Sequence, residues 1–351
     1  MIAELPPNFL QSKKWAKMNE IIGHKVIKEK FGTHTNYLIV KSARRGRYLE
    51  IPGGPVINWG DKAEVAKTFA KIREIAKANK CVFVRLRPQL LKNDENLTIL
   101  KAAGAHIAPM HLHAEHTVII DLTKSEEELL ADMRRQTRYE VRRAVKLGIE
   151  VKSGNSEELF REFHSAQSIT ARRQHFIPPD LRTLLAEREA FKNNAMIYVA
   201  KAPILSDPGS SRQRERTIGS VPVTTGDTTG ARVDKDGDFA SVAYGLILCD
   251  GAEAEYFEAA STDLNRKLPG AYALQWQVMR DLKKQGIKRY NLWGIAPPGA
   301  KNHRYSGVTT FKTGFGGEII EFVPAHDIVI SPARYKLDLA IEKVRKKRRN
   351  L

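Results

Sequence analysis

Segments with helical periodicity and segments with strand character alternate irregularly along this chain, and some neighbouring strands are close enough for a short turn to join them. Asn36–Lys41 and Arg47–Ile51 are two such strands, and the second ends at a Pro-Gly-Gly-Pro turn. A helix is predicted from Asp61, a common N-cap residue, to about Asn79. Hairpins placed between helices favour a mixed α+β fold over a strictly alternating doubly wound sheet.

The length of 351 residues fits two domains better than one. The strand His116–Asp121 is predicted to begin the second of them. Residues 202–238 are rich in Ser, Gly, Thr, Asp and Arg and contain few apolar residues, so we predict a mobile loop there. Further helices are predicted for Gly270–Lys284 and from Pro332 to the end of the sequence.

The chain is strongly basic. Lys and Arg number 58 against 40 Asp and Glu, which gives a formal net charge of +18 and a pI of about 9.8. A field of this sign attracts polyanions such as RNA, DNA, anionic lipid or a phosphorylated substrate. The net charge alone does not distinguish among these partners.

The cysteines and the apolar runs indicate a reducing compartment and no membrane span. Cys81 and Cys249 are the two cysteines, and their separation argues against a disulfide scaffold or a structural zinc site. Residues 1–8 lack the features of a signal peptide. Apolar runs such as Val242–Cys249 are too short to cross a bilayer. We therefore expect a cytoplasmic protein that meets a membrane only at its surface.

An arginine-rich helix is predicted after a capping box formed by Ser125 and Glu128. It either continues to about Gly148 or breaks near Arg138. Its arginines are Arg134, Arg135, Arg138, Arg142 and Arg143. Three of them, spaced four residues apart, share one face, which suits a phosphate backbone. A solvated helix that nearby glutamates partly neutralise is an equally good interpretation.

The segment Phe311–Gly317, of sequence Phe-Lys-Thr-Gly-Phe-Gly-Gly, places one lysine between two aromatic residues. If Lys312 projects into a cleft, its ammonium can bind a phosphate or stabilise an oxyanion. The alternative is a strand that buries Phe311 and Phe315 and leaves the lysine exposed, as most lysines are.

Other motifs point less clearly to chemistry. His111, His113 and His116 have a spacing that zinc ligands can show, but a polar entrance to a strand is the favoured interpretation. The basic stretch Lys343–Arg349 either contacts anionic lipid or is simply solvated. No GxxxxGK[ST], GxGxxG or GxSxG motif occurs, so nucleotide cradles and nucleophile elbows have no support.

Short motifs of one known family occur in order along nearly the whole chain. They are Phe9–Ser12 with Trp15–Lys17, Gly53–Val56, Val84–Pro88, Ile120–Thr123 with Thr137 and Arg138, Thr170 and Ala171, Pro178, Ala271–Trp276, Tyr290–Ile295, and Phe311 and Lys312 with Phe315. In this order they resemble the Fem peptidyltransferases, the FemABX group. Single motifs are weak, whereas the series that ends in Phe-Lys-x-x-Phe is specific.

The resemblance implies two GNAT-like domains with a cleft between them. The first is expected to comprise residues 1–113 and 324–351, and the second residues 114–323. The implied reaction transfers an amino acid from aminoacyl-tRNA to the stem-peptide amine of a peptidoglycan precursor, either UDP-MurNAc-pentapeptide or lipid II. The resemblance implies no metal and no coenzyme. Such a reaction is the aminolysis of an ester, which needs a stabilised oxyanion.

The resemblance, the charge pattern and the positions of residues near Lys312 together give expected roles, although ordinary loop packing fits Arg304 and Tyr305 equally well. Lys312 is the catalytic cation that stabilises the oxyanion. The residues expected to bind the substrate are Lys17, Arg85, Arg172, Arg173, Arg304, Tyr305, Phe311 and Phe315. The residues expected to bind tRNA phosphates are Arg134, Arg135, Arg138, Arg142 and Arg143. A lipid-linked acceptor would place the protein at the inner face of the plasma membrane.

This sequence departs from the family pattern at several points. Arg87 stands where relatives often have Asp. Ile177 stands where some relatives have an Arg that holds a substrate phosphate, and Arg172, Arg173 or Arg182 are the candidates to replace it. The coiled-coil arm of some members is missing.

Two other functions fit the same sequence. One is an acetyl-CoA-dependent N-acyltransferase on the same fold, since fold does not fix function. The [QR]xxGx[GA] turn that cradles pyrophosphate in such enzymes is absent here. The other is a non-catalytic basic protein that binds RNA or a membrane, in which Lys312 has no chemical role.

Overall fold

The computed structural model describes residues 7–43, 46–110, 112–174, 176–206, 216–218, 221–222, 232–233, 238–300, 303–337 and 339. The chain divides into two compact units. Met1–His116 and Ile320–Leu351 form the first unit, and Thr117–Ile319 forms the second. Both are built from helices and mixed β-sheets, so the predicted mixed α/β class is confirmed.

The first unit is built around a six-stranded sheet. Its helices are α1 (Lys13–Ile21), α2 (Lys62–Ala78) and α3 (Asp94–Ala102), and its strands are β1 (Lys25–Phe31), β2 (His34–Ala43), β3 (Gly46–Gly53), β4 (Cys81–Pro88), β5 (His106–Ile107) and β16 (His326–Val329). The strand order is β1-β2-β3-β4-β16-β5. β3 and β4 run parallel, whereas β16 pairs antiparallel with both β4 and β5.

Helix α2 shows how the sequence builds this unit. Asp61 caps the helix by accepting hydrogen bonds from two backbone N–H groups of its first turn, as predicted. Val65, Phe69 and Ile72 recur at helical spacing and are buried. They join one apolar core with strand residues such as Val84.

Residues 116–321 contribute the remaining elements. The helices are α4 (Glu126–Asp132), α5 (Arg135–Lys146), α6 (Glu157–Gln174), α7 (Leu181–Phe191), α8 (Gly270–Lys284) and α9 (Ser306–Thr313). The strands are β6 (His116–Asp121), β7 (Glu150–Gly154), β8 (Ala195–Pro203), β9 (Leu205–Ser206), β10 (Arg216–Ile218), β11 (Val221–Pro222), β12 (Phe239–Asp250), β13 (Glu253–Ser261), β14 (Arg289–Gly294) and β15 (Glu318–Glu321). The main sheet has seven strands in the order β15-β6-β14-β13-β12-β8-β7.

Helices pack on both faces of this seven-stranded sheet. On one face, Val141 of α5 and Leu274 of α8 belong to the same apolar core as Ala243 of β12. Successive residues of a strand point to opposite faces. The next residue, Tyr244, packs against Phe163 of α6, with the ring centroids 6.4 Å apart. Helix α6 therefore lies on the face opposite α8.

The segment 202–238 differs from its prediction as a loop. Its described residues include β9, β10 and β11, which form a small three-stranded antiparallel sheet. The apolar residues Ile218 and Val221 pair across two of these strands. Residues 207–215, 219–220, 223–231 and 234–237 lie outside the described residues.

The arginine-rich helix begins later than its capping box suggested. The capping box of Ser125 and Glu128 is present, but it caps α4, which ends at Asp132. Met133 and Arg134 are extended, with ψ of 144° and 145°, and α5 then starts at Arg135. The predicted break near Arg138 therefore falls one turn earlier, because Met133 is buried at this corner.

The C-terminal segment is described only in part. Residues 332–337 are helical, and the predicted basic stretch Lys343–Arg349 lies outside the described residues. No helix within the described ranges is long and apolar enough to cross a bilayer.

Candidate active site

Strands β13 and β14 diverge in the middle of the seven-stranded sheet. They pair in parallel only where Glu253–Glu255 faces Arg289–Asn291. Beyond that point β13 stays paired with β12 as far as Ser261, while β14 stays paired with β6 as far as Gly294. Residues 256–261 of β13 and 292–294 of β14 therefore form no backbone hydrogen bonds with each other. This leaves an opening in the sheet between the two strands.

Local irregularities accompany this divergence. The register of β13 against β12 shifts between Leu246 and Ile247, which leaves Phe257 as an extra residue in a β-bulge. On β14, Trp293 has a φ of 60°, which is uncommon for a residue other than glycine. The rings of Phe257 and Trp293 meet edge to face with centroids 5.8 Å apart. An aromatic pair thus joins the two strands where their ladder stops.

Lys312 lies at this opening. It occupies the last turn of α9, so the alternative of an exposed lysine on a strand is wrong. Its side chain is buried, and its Nζ donates a hydrogen bond to the carbonyl oxygen of Gly294, at the end of β14, over 2.9 Å. The same Nζ lies 5.7 Å from the centroid of the Tyr256 ring on β13.

Close packing of α9 fixes this lysine. Phe311 and Phe315 contact Tyr272 of α8, with ring centroids 5.1 and 5.8 Å from that of Tyr272. A Cβ atom at Gly314 would lie 2.4 Å from the Thr137 hydroxyl oxygen, so only glycine fits between α9 and α5. Phe315 is only 1% exposed. Phe311 and Phe315, the aromatic residues on either side of Lys312, therefore anchor the helix.

The electrostatics of Lys312 are unusual for a lysine. Burial lowers its pKa to about 7, because the ammonium loses hydration. No carboxylate within the described residues forms a salt bridge with it. The hydrogen bond to Gly294 uses one of its three N–H donors. A buried cation with spare donors can stabilise a negative oxygen that develops beside it.

The arginines of the α4–α5 region fall into two groups. Three of them are held by acceptors of the protein. Arg134 donates to the Thr310 carbonyl oxygen, Arg138 to that of Ala131 over 2.8 Å, and Arg143 to that of Lys267 over 3.0 Å. Arg135 and Arg142 form the second group, being exposed and having no hydrogen-bond partner within the described residues.

Arg135 and Arg142 belong to one exposed stripe on α5. With Tyr139 and Lys146 they are spaced by four, three and four residues, so all four side chains share a helix face. Tyr139 is 57% exposed although it is aromatic. Cations beside an exposed aromatic ring are suited to a nucleic-acid backbone and its bases.

Other predicted substrate residues of the second unit lie just before α9 and in the last turn of α6. Arg304 stacks on Tyr305, with its guanidinium carbon 4.5 Å from the ring centroid, and both are exposed. Arg172 is exposed at the end of α6. Its neighbour Arg173 binds Asp263 over 2.7 Å and the Ser261 carbonyl oxygen over 2.9 Å.

In the first unit, Lys17 is exposed on α1, whereas Arg85 is buried. Arg85 makes two hydrogen bonds to Asp327 of β16, over 2.8 and 2.7 Å, which engages its guanidinium within the sheet. The ionisable groups near it were not predicted from the sequence. Burial raises the pKa of Glu50 and, with the charge of Glu50, raises that of Tyr48 to about 12.

The histidine cluster shows no metal-binding geometry in the described parts of the chain. Nowhere in those parts are three or more His, Cys, Asp or Glu side chains placed to hold a metal ion. Burial lowers the pKa of His113 to about 3, and His116 forms a 3.1 Å contact with Glu321. His111 lies outside the described residues.

Comparison with known sequences places the chain among aminoacyltransferase relatives. It matches the model of the FemAB family over residues 3–206 and 211–343. The aminoacyltransferase FemA of Staphylococcus epidermidis is 22% identical, with 86% of this chain and 84% of that protein covered. FemA of Staphylococcus aureus (strain NCTC 8325 / PS 47) is 21% identical, with 96% of each covered.

Comparison with solved structures gives the same fold. The crystal structure of FemX matches with a TM-score of 0.75 and 19% identity, covering 94% of each chain. The C-terminal domain of a putative lysylphosphatidylglycerol synthetase from Agrobacterium fabrum matches with a TM-score of 0.56 and 14% identity, covering 95% of this chain and 92% of that one. The match to FemX confirms the predicted mixed α/β fold class.

Proposed function

Since this chain belongs to the FemAB family and is an aminoacyltransferase like its relatives, we propose that it transfers an amino acid from aminoacyl-tRNA to a peptidoglycan precursor. The acceptor is the stem-peptide amine of UDP-MurNAc-pentapeptide or lipid II, and the product carries a new cross-bridge residue. Aminoacyl-tRNA is made in the cytoplasm, where we place the reaction. Aminolysis of an ester needs neither a metal nor a coenzyme.

The observation that carries this proposal is the position of Lys312 at the opening between β13 and β14. The acceptor amine attacks the ester carbonyl, and the carbonyl oxygen becomes an oxyanion. The Lys312 ammonium donates a hydrogen bond to this oxygen until the intermediate collapses and the terminal ribose hydroxyl of the tRNA leaves. The amine loses its proton, and the ribose oxygen gains one.

The lowered pKa of Lys312 suits this role. A buried ammonium without a carboxylate partner is costly in the free enzyme, and the developing oxyanion relieves that cost. The interaction is therefore stronger in the transition state than in the ground state, which is what accelerates a reaction. A lysine that was already paired with a carboxylate would be stabilised less by the developing oxyanion.

The exposed stripe on α5 supports the tRNA part of the proposal. Arg135, Arg142 and Lys146 offer charges that no carboxylate of the described chain neutralises, and Tyr139 offers a ring for stacking. We assign the phosphate contacts to this stripe, with Arg134, Arg138 and Arg143 holding α5 in place through their backbone acceptors.

We assign recognition of the precursor's phosphates and peptide to exposed predicted residues. They are Lys17, Arg172, Arg304 and Tyr305. Arg85, Arg173, Phe311 and Phe315 support the fold around them through the contacts described above. The chemistry of an anionic precursor fits exposed cations.

The test is a transfer assay with purified protein. Radiolabelled aminoacyl-tRNAs are supplied as a pool, with UDP-MurNAc-pentapeptide or lipid II, and label is followed into the muropeptide. Wild type is compared with Lys312→Ala and with Lys284→Ala, an exposed lysine at the end of α8. We expect transfer by wild type and Lys284→Ala and its loss in Lys312→Ala.

A parallel reaction with labelled acetyl-CoA tests the other enzymatic function. Label transferred from acetyl-CoA, and none from any charged tRNA, would replace the proposal by an N-acyltransferase. Binding of tRNA without any transfer, unchanged by Lys312→Ala, would indicate a non-catalytic RNA-binding protein.

A further inference from the structure

Three polar side chains meet on the α6 face of the seven-stranded sheet. Glu258 lies on β13 beyond the last residue that pairs with β14, and therefore beside the opening. Gln167 of α6 donates from its Nε2 to Glu258 Oε2 over 2.7 Å. Glu187 of α7 is close enough for the charge of Glu258 to act on it. We call these three residues the acidic cluster.

Two acceptor oxygens of the acidic cluster have no hydrogen-bond donor. Glu187 Oε2 and Gln167 Oε1 are buried and have no partner among the described residues. Both side chains are only 2% exposed, so water does not satisfy them freely. An unsatisfied buried acceptor is costly, and native proteins rarely retain one without a function. Two orphan acceptors on different helices, beside the same carboxylate, point to a donor that binds there.

A carboxylate elsewhere on α6 does have a donor. Glu162 accepts a hydrogen bond from the Tyr244 hydroxyl over 2.6 Å.

The pKa values of both carboxyl groups in the acidic cluster are raised. Burial raises the pKa of Glu258 to about 7. Burial and the charge of Glu258 together raise that of Glu187 well above its usual range. No cationic side chain of the described chain forms a salt bridge with either carboxylate. A cation bound beside both carboxylates would favour their charged forms and so oppose both shifts.

We propose that the acidic cluster of Glu187, Glu258 and Gln167 binds a primary ammonium group. The cluster offers two carboxylates and an amide oxygen, and an ammonium carries three N–H donors. A charge-assisted contact of this kind satisfies the orphan oxygens and neutralises the pair. Glu258 is partly exposed, which leaves an approach for a ligand from the opening.

The identity of this ammonium rests on the proposed function. Aminoacyl-tRNA carries an α-ammonium next to its ester, and the stem-peptide acceptor carries an amine that is protonated before it reacts. Both sources present the same chemistry. Either would be held at the opening in the sheet that also contains Lys312, which would position the substrate for attack.

A direct binding experiment tests the site without turnover. Propylammonium chloride is titrated into deuterated, ¹⁵N-labelled protein at pH 8, and the amide signals of residues 255–261 are followed. Propanol and sodium chloride serve as controls for the alkyl chain and the ionic strength. The variants are Glu258→Gln, Glu187→Gln and, as a matched control, Glu157→Gln, which removes an exposed carboxylate from α6.

We expect saturable shifts in wild type and in Glu157→Gln, and none with propanol. The affinity should fall roughly tenfold or more in Glu258→Gln and in Glu187→Gln, because each loses a charge-assisted hydrogen bond. Absence of saturable shifts in wild type would overturn the site, and so would equal affinities in all four proteins. Two isosteric variants keep the test decisive if one of them folds poorly.

Kinetics then identify the source of the ammonium. A donor whose α-ammonium is replaced by a hydroxyl is compared with the normal aminoacyl-tRNA in wild type and Glu258→Gln. If the α-ammonium binds the cluster, only the normal donor loses efficiency in the variant. If the acceptor amine binds there, the transfer efficiency falls equally with both donors in the variant, and the KM for the acceptor rises. Propylammonium binding without either effect would refute a role in the transfer.

Discussion

The ammonium of Lys312 donates a 2.9 Å hydrogen bond to the carbonyl oxygen of Gly294, the last residue of β14. This bond joins the last turn of α9 to the strand that has just parted from β13. It places the buried cation at an opening in the sheet and not in a closed core. The other N–H groups of the ammonium are then available to a substrate.

Lys312→Met should make the protein more stable and inactive. Methionine fills a similar volume but carries no charge, so transfer should fall by about 10²–10³-fold, the usual effect of losing an oxyanion donor. At pH 6 the free energy of unfolding should rise by about 1–3 kcal/mol, because an unpaired buried cation is removed. Chemical denaturation and the transfer assay measure the two effects. A variant less stable than wild type at pH 6 would contradict our view of this lysine.

The gain in stability should also depend on pH. Because the folded-state pKa of Lys312 is lowered to about 7, the folded protein gives up a proton that the unfolded chain keeps. Wild-type stability therefore rises with pH above 7. The advantage of Lys312→Met should shrink between pH 7 and 9, and a constant difference across that range would exclude a titrating lysine.

The rate of transfer should fall as pH rises through about 7. The charged form of Lys312 stabilises the oxyanion, and its pKa in the free enzyme is about 7. The descending limb should appear in kcat/KM, which reports the free enzyme. It should be absent from the residual activity of Lys312→Arg, since arginine stays charged. An identical limb in both proteins would assign it to another group.

Gly314→Ala should damage the protein, whereas Gly307→Ala on the same helix should not. A Cβ at Gly314 would lie 2.4 Å from Thr137 Oγ1 and 2.6 Å from Arg134 Nη2. We expect a loss of about 1–3 kcal/mol in unfolding free energy and a lower kcat, because α9 must shift. At Gly307 nothing lies within 4 Å of an added Cβ, so alanine should be neutral or stabilising. Thermal unfolding of both variants provides the comparison.

Replacing Arg135 and Arg142 together by alanine should weaken tRNA binding and reduce its salt dependence. The slope of log K against log salt should become less steep by about 1–2, because two phosphate contacts are lost. The control removes two exposed lysines, Lys62 and Lys67, from α2 in the first unit. Filter binding at several salt concentrations measures the slopes. Equal losses in both double variants would mean that only net charge matters.

Glu258→Gln should remove a pH dependence of folding. The pKa of Glu258 is raised to about 7, so the folded state keeps a proton that the unfolded chain loses near pH 4.5. Wild-type stability should therefore fall as pH rises from 5 to 8, by on the order of 2 kcal/mol from this carboxyl. The variant should lack this decline, and Glu157→Gln should retain it. Urea denaturation of the three proteins at pH 5 and pH 8 gives the six values required.

Local sequence patterns predicted some elements well. Helix α8 has the predicted bounds of Gly270–Lys284, and the Asp61 cap of α2 is present. Both rest on signals within a few residues, namely apolar spacing and a capping side chain. The position of Lys312 was predicted only through the family resemblance, since composition and spacing gave no reason to bury a lysine.

Long-range contacts explain what the sequence did not reveal. Gln167 and Glu258 are 91 positions apart, and Arg85 and Asp327 are 242 positions apart. No periodicity links such residues, because their meeting depends on the order of strands in each sheet. The bulge at Phe257 is equally invisible in a continuous strand pattern.

The place of β16 in the first sheet has a consequence for biosynthesis. This strand comes from residues 326–329, yet it lies between β4 and β5, which are made much earlier. During synthesis, the sheet of the first unit therefore stays incomplete, with an unpaired edge at β4, until residues 326–329 have been made. The residues of the second unit emerge from the ribosome in the meantime. The N-terminal unit of this protein is therefore the last to be completed, and a chain that stops before residue 326 would leave it unfinished.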